Sequence, residues 1–199
     1  MKAEQNPYPW FDKWYADAER SGEEEPSTMT LATATKSGVP TARIVLYRGR
    51  KEEGFCFYTN YESKKGQELA ENPLAALVFH WFKTGRQVRI EGMVQPLDGV
   101  DSDIYFRSRP RGSQLGAWAS AQSRELSHRQ ELMDAYTQIE KKFTEVSEVP
   151  RPPNWGGYQV IPQRFEFWQS DENRLHWRWK LKRPIDPAQS HWKVTLISP

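Results

Sequence analysis

Apolar residues recur along this chain at two periods, and the changes between them divide it into elements. Trp10, Phe11, Trp14, Tyr15 and Ala18 fall at helical spacing, which predicts a short amphipathic helix ending in the breaker Ser21-Gly22-Glu23-Glu24-Glu25-Pro26. That acidic run reads as a solvated linker. The period then drops to two: Met29, Leu31 and Ala34 alternate with threonines up to Lys36-Ser37-Gly38, a β-rich run resumes from Ala42 to Tyr47, and the pair predicts a hairpin. Gly54 to Thr59 predicts another strand. Ser63 to Asn72, closed by Pro73, predicts a brief helix with a serine cap, and Leu74 to Phe82 with Arg86 to Val94 predicts a second hairpin around Lys83-Thr84-Gly85. A longer helix is predicted over Ser127 to Phe143, with Leu132, Tyr136, Ile139 and Phe143 on one face and Ser127 with Gln130 as a capping box. Pro150, Pro152 and Pro153 break the chain, and Tyr158 to Trp168, Leu175 to Leu181 and Trp192 to Ile197 predict three further strands.

Seven or so short strands with a few helices and no βαβ alternation predict a mainly β, antiparallel fold, a closed or split barrel rather than a doubly wound sheet. At 199 residues one domain is expected, 1–199, with 1–27 as N-terminal helix and linker, 127–145 as helix and 155–199 as C-terminal strands. Mean hydropathy is only -0.84, while aromatics make up 13% of the chain and include nine Trp, so aromatic rings must carry much of the burial. Twenty-eight Lys and Arg against 26 Asp and Glu leave +2, so any basic site must be local. The single cysteine, Cys56, rules out an internal disulfide and reads as a buried small hydrophobe, and four His give no zinc-site spacing. With no apolar stretch of signal or span length, a soluble cytoplasmic protein is expected.

Neither a Gly-x-Gly-x-x-Gly nor a Walker-type loop is present, so a phosphate site would need side chains. Three constellations could supply them. Arg43 and Arg48 are placed on one strand, and Lys64 and Lys65 open the helix capped by Ser63, where the helix dipole favours an anion; the same residues also fit a solvated basic edge. Arg107-Ser108-Arg109-Pro110-Arg111-Gly112-Ser113 reads as a rigid loop with three guanidiniums, suited to phosphate forks, to a mobile loop or to a nucleic-acid contact, with Tyr105, Phe106 and Trp118 as core or as stacking platforms. If Leu175 to Leu181 is a strand, Arg174, His176 and Arg178 share one face, which is costly to bury unless an anionic or electron-rich ligand completes it; the alternative is a solvent-facing strand with Trp177 and Trp179 packed beneath.

In this order the clusters resemble the pyridoxamine 5′-phosphate oxidase family of flavin enzymes, also called pyridoxine 5′-phosphate oxidases. The resemblance runs through Arg43-Ile44-Val45-Leu46-Tyr47-Arg48, Phe57-Tyr58-Thr59-Asn60, Ser63-Lys64-Lys65 and Arg86-Gln87-Val88. It continues through Tyr105-Phe106-Arg107-Ser108-Arg109-Pro110, Ser113-Gln114-Leu115-Gly116-Ala117-Trp118, Gln122-Ser123, Trp155-Gly156-Gly157, Glu166-Phe167-Trp168-Gln169 and Arg174-Leu175-His176. It implies an FMN-binding split β-barrel homodimer with two FMN sites at the subunit interface, each lined by both chains, and no role for nucleic acid, membrane or metal. By resemblance the FMN contacts are Arg43, Ile44, Val45, Leu46, Tyr58, Thr59, Lys64, Lys65, Gln87, Gln122, Ser123, Trp168 and Arg178, with Arg43, Lys64 and Lys65 at the phosphate end and Gln87, Trp168 and Arg178 at the ring end. Arg48, Tyr105, Arg109 and Ser113 would hold the substrate phosphate. Arg174, Leu175 and His176 would contact the substrate, with Arg174 and His176 bordering the reacting carbon as the catalytic pair.

The implied reaction is hydride transfer from C4′ of pyridoxamine or pyridoxine 5′-phosphate to flavin N5, with O2 then reduced to H2O2, giving pyridoxal 5′-phosphate. The chain departs from the family pattern at Arg48, where the family has Lys; at Lys64, where Arg is frequent; at Trp177, where an acid usually stands; and at Leu196-Ile197-Ser198-Pro199, where the closing pattern carries Arg. Trp177 and the altered terminus keep a second possibility open, a related split-barrel flavin oxidoreductase with another substrate. A vitamer carrier or basic nucleic-acid module is the third.

Overall fold

The computed structural model describes residues 4–184 and 191–199, so Met1 to Ala3 of the N-terminal segment and 185–190 of the C-terminal one lie outside the described residues. The first element is helix α1 (Pro7–Arg20), whose entry follows from chemistry: Asn6 Oδ1 accepts the Tyr8 N–H at 3.1 Å, and Pro7 takes the first turn, where a missing N–H costs nothing. Strands β1 (Thr28–Ala34) and β2 (Pro40–Leu46) form the first hairpin, with Met29 opposite Val45. A two-residue β3 (Arg50–Lys51) precedes β4 (Gly54–Asn60) and helix α2 (Lys64–Glu71). The second hairpin is β5 (Leu74–Trp81) with β6 (Arg86–Pro96), followed by helices α3 (Gly99–Ser108), α4 (Arg111–Ala119) and α5 (Arg129–Lys142). A 15-residue β7 (Trp155–Gln169), a 3-10 turn (Glu172–Arg174), β8 (Trp177–Lys182) and β9 (Lys193–Leu196) complete the chain.

All pairings are antiparallel, in the order β2-β1-β5-β6-β7-β4-β3, with β8 joined to β7 and β9 to β8. Strand β7 is the fork. Its first half pairs with β4 (Trp155 opposite Asn60) and its second half with β8 (Trp168 opposite Arg178), while β6 runs along its other edge with a bulge at Glu91/Gly92. The path begins at β2 and ends at β3, which follow one another in the chain, yet no ladder joins β2 to β3 or β4 among the described residues. The barrel is therefore split at that seam.

Helix α1 fills the barrel. Trp10 stacks on Phe167 with centroids 4.1 Å apart and planes 2° apart, and Phe11 meets Phe55 and Phe79 edge-on at 4.8 and 5.0 Å. Pairs of this geometry stabilise beyond their buried area. The Trp81 indole N–H is satisfied by the Pro26 carbonyl at 3.0 Å, which ties the acidic linker to β5. A smaller core of Phe106, Leu115, Phe143, Val149 and Trp155 lies under α3, α4 and α5.

The structure corrects several expectations. Among the described residues there are nine strands rather than seven or so: β9 lies within the expected Trp192 to Ile197, and the unexpected one is the two-residue β3, held by hairpin pairing to β4 rather than by pattern. Helix α5 begins at Arg129, not Ser127: His128 Nδ1 caps the Glu131 N–H at 3.3 Å, and Glu131 Oε2 accepts from the Ser127 N–H at 3.2 Å, so the capping side chains are His128 and Glu131 rather than Ser127 and Gln130. The expected strand from Leu175 begins at Trp177. Arg174 sits in the preceding turn with φ 62°, so Arg174, His176 and Arg178 do not share one strand face. Of the two Trp expected beneath them, Trp179 is buried and Trp177 is 38% exposed. No helix among the described residues is long and apolar enough to cross a membrane.

Trp10→Ala is expected to cost about 3–5 kcal/mol, the range for deleting a buried large aromatic ring, whereas Val100→Ala on the exposed start of α3 should stay within about 0.5 kcal/mol. Urea unfolding of both variants checks the contrast; equal losses would contradict the role given to α1.

Candidate functional site

The seam between β2 and β4 opens into a cleft of about 740 Å³. One wall is Arg43, Ile44, Val45 and Leu46 on β2, followed by Arg48; the facing wall is Tyr58, Thr59 and Asn60 on β4 with Lys65 of α2. Helices α3 and α4 and the loop after them close the third side through Tyr105, Arg109, Ser113 and Gln122. Strand β2 pairs with β1 on one edge only, so the backbone of Arg43 to Leu46 borders the cleft without a second ladder.

Lys65 is held there by local structure. Ser63 caps α2, its Oγ accepting from the Gly66 N–H at 3.3 Å and donating to the Asn60 carbonyl at 2.7 Å. A Cβ at Gly66 would lie 2.0 Å from the Tyr61 carbonyl oxygen, so only glycine lets the helix start this close to the end of β4. The buried Lys65 ammonium donates to Thr59 Oγ1 (3.1 Å), Ser63 Oγ (3.2 Å) and Gln122 Oε1 (3.1 Å), all neutral. Burial first, then the nearby Arg43 charge, bring its pKa down to about 8, against a smaller upward pull from Glu68. Arg43 is anchored on the buried Glu68 at 3.3 Å and on Thr33 Oγ1 at 2.6 Å. Burial pushes the Glu68 carboxyl up, but hydrogen bonds from Thr33 and Thr41 and the Arg43 charge outweigh it, and the net shift is downward. Glu68 Oε1 is buried without a partner.

The other end of the cleft is also cationic. Arg48 Nε donates to Tyr105 Oη at 2.8 Å, and its Nη1 reaches Ser27 Oγ at 3.4 Å. Tyr105 stacks on Tyr58 at 3.8 Å, and both rings lie nearly parallel to Trp155. Over Trp155, at 4.5 Å from its centroid, lies the Arg109 guanidinium. Its Nη1 is buried with no hydrogen-bond partner, and burial lowers its pKa. A half-buried guanidinium that lines a cleft and keeps an unused donor is suited to an anion. Lys65, Arg48 and Arg109 meet no carboxylate among the described residues. The chemistry available is thus recognition of two anionic groups, one near Lys65 and Arg43, one near Arg48 and Arg109.

The expected loop 107–113 is a helix–proline–helix junction, and its three arginines diverge. Arg107 is exposed at the end of α3; Arg111, opening α4, donates to the carbonyls of Val146 (2.9 Å) and Phe143 (2.5 Å); only Arg109 turns into the cleft. Arg48 lies beyond β2 rather than on the same strand as Arg43. Lys64 is exposed, one residue away from the inward Lys65, and Ser123 is exposed in the loop after α4 with φ 71°. Neither lines the cleft.

The remaining expected residues form a second place on the chain. Gln87, Trp168 and Arg178 sit side by side on β6, β7 and β8, on the face opposite the core residues Val88, Phe167 and Trp179. Glu166 holds Arg178 through Nε (2.9 Å) and Nη2 (2.8 Å). The His176 ring lies 4.6 Å from that of Trp168, and Leu175 and His176 border a small apolar hollow with Trp177 and Leu196 to Pro199. Arg174 is in the turn beside them. Sequence inspection missed Trp155 as a cleft floor and Glu68 as the anchor of Arg43; an acid three residues after Lys65 reads as ordinary helix surface. Cys56 is buried as expected, and burial pushes its thiol pKa up.

A family model described as pyridoxamine 5′-phosphate oxidase matches residues 16–148, and one described as the pyridoxine 5′-phosphate oxidase C-terminal dimerisation region matches 155–199. The pyridoxine/pyridoxamine 5′-phosphate oxidase of Burkholderia mallei (strain SAVP1) is 49% identical over 194 residues, spanning 98% of this chain and 89% of the relative. That of Salinibacter ruber is 48% identical with the same coverage. Among solved structures, PhzG from Burkholderia lata 383, in complex with tetrahydrophenazine-1-carboxylic acid, matches with TM-score 0.91 and 31% identity over 100% of this chain and 95% of that one. A pyridoxamine 5′-phosphate oxidase-related, FMN-binding protein from Nostoc punctiforme shares the fold at TM-score 0.75 and 17% identity, covering 99% of this chain and 100% of its own.

Lys65 provides a pH test of the cleft. Its folded pKa of about 8 lies below the unfolded value of 10.5, so between them the unfolded chain binds more protons and ligand-free stability rises with pH. An anion needs the protonated form, and its affinity runs the other way. The Kd for inorganic phosphate should rise about tenfold per pH unit above about pH 8, and Lys65→Met should flatten that rise. Calorimetric titration across this range would refute the assignment if both proteins gave the same slope.

Proposed function

The chain belongs to the pyridoxamine 5′-phosphate oxidase family, and from that premise we propose that it is an FMN-dependent oxidase converting pyridoxamine 5′-phosphate and pyridoxine 5′-phosphate to pyridoxal 5′-phosphate, with O2 reduced to H2O2 and, for the amine, water consumed and ammonia released. The observation that carries this reading is one cleft with two cationic ends, a Lys65 ammonium surrounded by neutral oxygens and an Arg109 donor with no partner. Two phosphorylated ligands, cofactor and substrate, would fill them. The residues fit FMN at the first end: Lys65 and Arg43 would take its phosphate, with Thr59, Gln122 and the free edge of β2 from Arg43 to Leu46 alongside and Tyr58 on the facing wall. At the second end Arg48, Tyr105, Arg109 and Ser113 would hold the substrate phosphate. Lys64 and Ser123 would join the FMN contacts from the rim.

FMN, when bound, supplies the hydride acceptor and the route to O2. The protein's part is to fix the substrate against it. The phosphate grip at Arg48 and Arg109 would orient the pyridine ring, and the Tyr58–Tyr105–Trp155 stack would keep water from that side. Gln87, Trp168 and Arg178 would border the flavin ring, and Arg174, Leu175 and His176 the substrate, with Arg174 and His176 beside the reacting carbon. We place these on the partner of a homodimer, consistent with the match of 155–199 to a dimerisation region. Residues 1–199 would then form one domain working in the cytoplasm on small-molecule substrates, with no nucleic acid or membrane involved.

A second reading, a related flavin oxidoreductase with another substrate, draws on Trp177 and on the likeness to PhzG. The cationic pocket at Arg48 and Arg109 favours a phosphorylated substrate over it. Purified protein should be yellow, with a flavin spectrum that bleaches on anaerobic addition of pyridoxamine 5′-phosphate. Full FMN loading without H2O2 from either vitamer would select the second reading. Lys65→Ala should chiefly lower FMN retention, and Arg174→Ala should chiefly lower turnover with FMN still bound; equal flavin loss in both would contradict this division.

A further inference from the structure

Trp177 stands where the resemblance places an acid, yet a carboxylate reaches it from elsewhere. Asp171, in the turn after β7, makes three bonds. Its Oδ1 accepts the Glu172 N–H at 2.8 Å, its Oδ2 accepts the Trp177 indole N–H at 2.8 Å, and its own N–H donates to His176 Nδ1 at 3.1 Å. One residue thus grips the far end of Arg174-Leu175-His176 at two points. The turn needs such a grip: Asn173 and Arg174 are successive non-glycine residues with φ 52° and 62°, a conformation that asparagine tolerates but that strains an arginine unless the surroundings enforce it. The Trp177 ring is fixed in its turn, stacked at 5.5 Å and 7° on Trp179, which is buried in the core. An accepting Nδ1 leaves the proton of the neutral His176 ring on Nε2.

We propose that Asp171 and Trp177 are positioning residues for Arg174 and His176: the carboxylate–indole bond closes the turn that sets both side chains, and the acid of the family pattern is relocated rather than lost. This rests on the reading that Arg174 and His176 border the substrate. Trp177→Phe keeps a ring to stack and removes the N–H, while Asp171→Asn keeps an Oδ1 acceptor for Glu172 and removes the charge. Each is expected to lower kcat for pyridoxamine 5′-phosphate about tenfold while KM, FMN content and the Kd for pyridoxal 5′-phosphate change by less than about twofold, because both phosphates are gripped in the cleft. The double variant should be no slower than the slower single, as the two act through one bond. Unchanged kcat, losses that multiply, or FMN content falling with kcat would overturn the proposal. If Trp177→Phe does not fold, the kcat-against-KM split of Asp171→Asn decides it. Arg174→Ala is the control: intact turnover there would sink the underlying reading, whereas lost turnover there with normal Trp177→Phe and Asp171→Asn enzymes would sink this proposal alone.

Discussion

An edge strand whose outer side meets no ladder among the described residues is the constraint on which the rest depends. Strand β2 begins the sheet path and β3 and β4 end it, and the chain between them spans only Tyr47 to Gly49. That link is pinned at both sides: the Tyr47 N–H donates to the Ser27 carbonyl at 2.8 Å, and the Arg48 N–H to that of Cys56 at 2.8 Å. The two edges are therefore held close at one end and diverge beyond it. Backbone groups that leave a ladder must find another partner or water, so the divergence creates a polar groove by construction. Helix α1 makes the divergence affordable, because its rings fill the barrel that an unclosed sheet would otherwise leave empty.

Charge placement follows from that groove. A net charge of +2 conceals a separation in which some basic residues meet a carboxylate, such as Arg86 with Asp17 at 2.7 Å and Arg151 with Asp103 at 2.6 Å, while Lys65, Arg48 and Arg109 in the cleft meet none among the described residues. Half-buried cations lacking carboxylates cost free energy in the empty protein. The downward pKa of Lys65 is the measure of that cost. Glu68 shows the limit of the arrangement: it neutralises Arg43 but reaches Lys65 through no hydrogen bond, so one cation of the pair is fixed in place and the other stays available.

Where sequence and structure agree, one periodic signal acted alone. Trp10, Phe11, Trp14 and Ala18 read as one helical face and are buried as one, and the hairpins around Lys36-Ser37-Gly38 and Lys83-Thr84-Gly85 lie where alternation met turn residues. The reading broke where two local signals competed. Pro110 within Arg107 to Ser113 looks like loop chemistry, but it stands at the N-cap of α4, where its missing N–H breaks no helix bond and the helix can begin directly after it. Arg174 to Arg178 alternates like a strand, and nothing in an Arg predicts φ 62°; only Asn173 hinted at a left-handed residue. The motifs survived these errors because they mark which residues are present, whereas direction depends on backbone that period alone does not specify. Trp155 could have been found, since it opens the stretch Trp155-Gly156-Gly157; Glu68 could not.

The placement of the two clusters bears on the assembly. Trp155 floors the cleft and Trp168 belongs to the outer row, and they are thirteen residues apart on β7, roughly 40 Å of strand at about 3.3 Å per residue before bending. Gln87 and Arg178 flank Trp168 in register, so no rotamer change brings that row into the cleft of the same chain. Either the row serves something other than the ligand in the cleft, or a second copy presents it there. The proposed homodimer would satisfy the second alternative with one two-fold axis, because an isologous contact that brings one chain's row to its partner's cleft brings the reverse pair together as well. On the proposed homodimer the turn at 171–177 would gain a reason to be rigid: side chains offered to a neighbouring subunit would not be corrected by their own cleft, so Arg174 and His176 would have to be set by the chain that carries them.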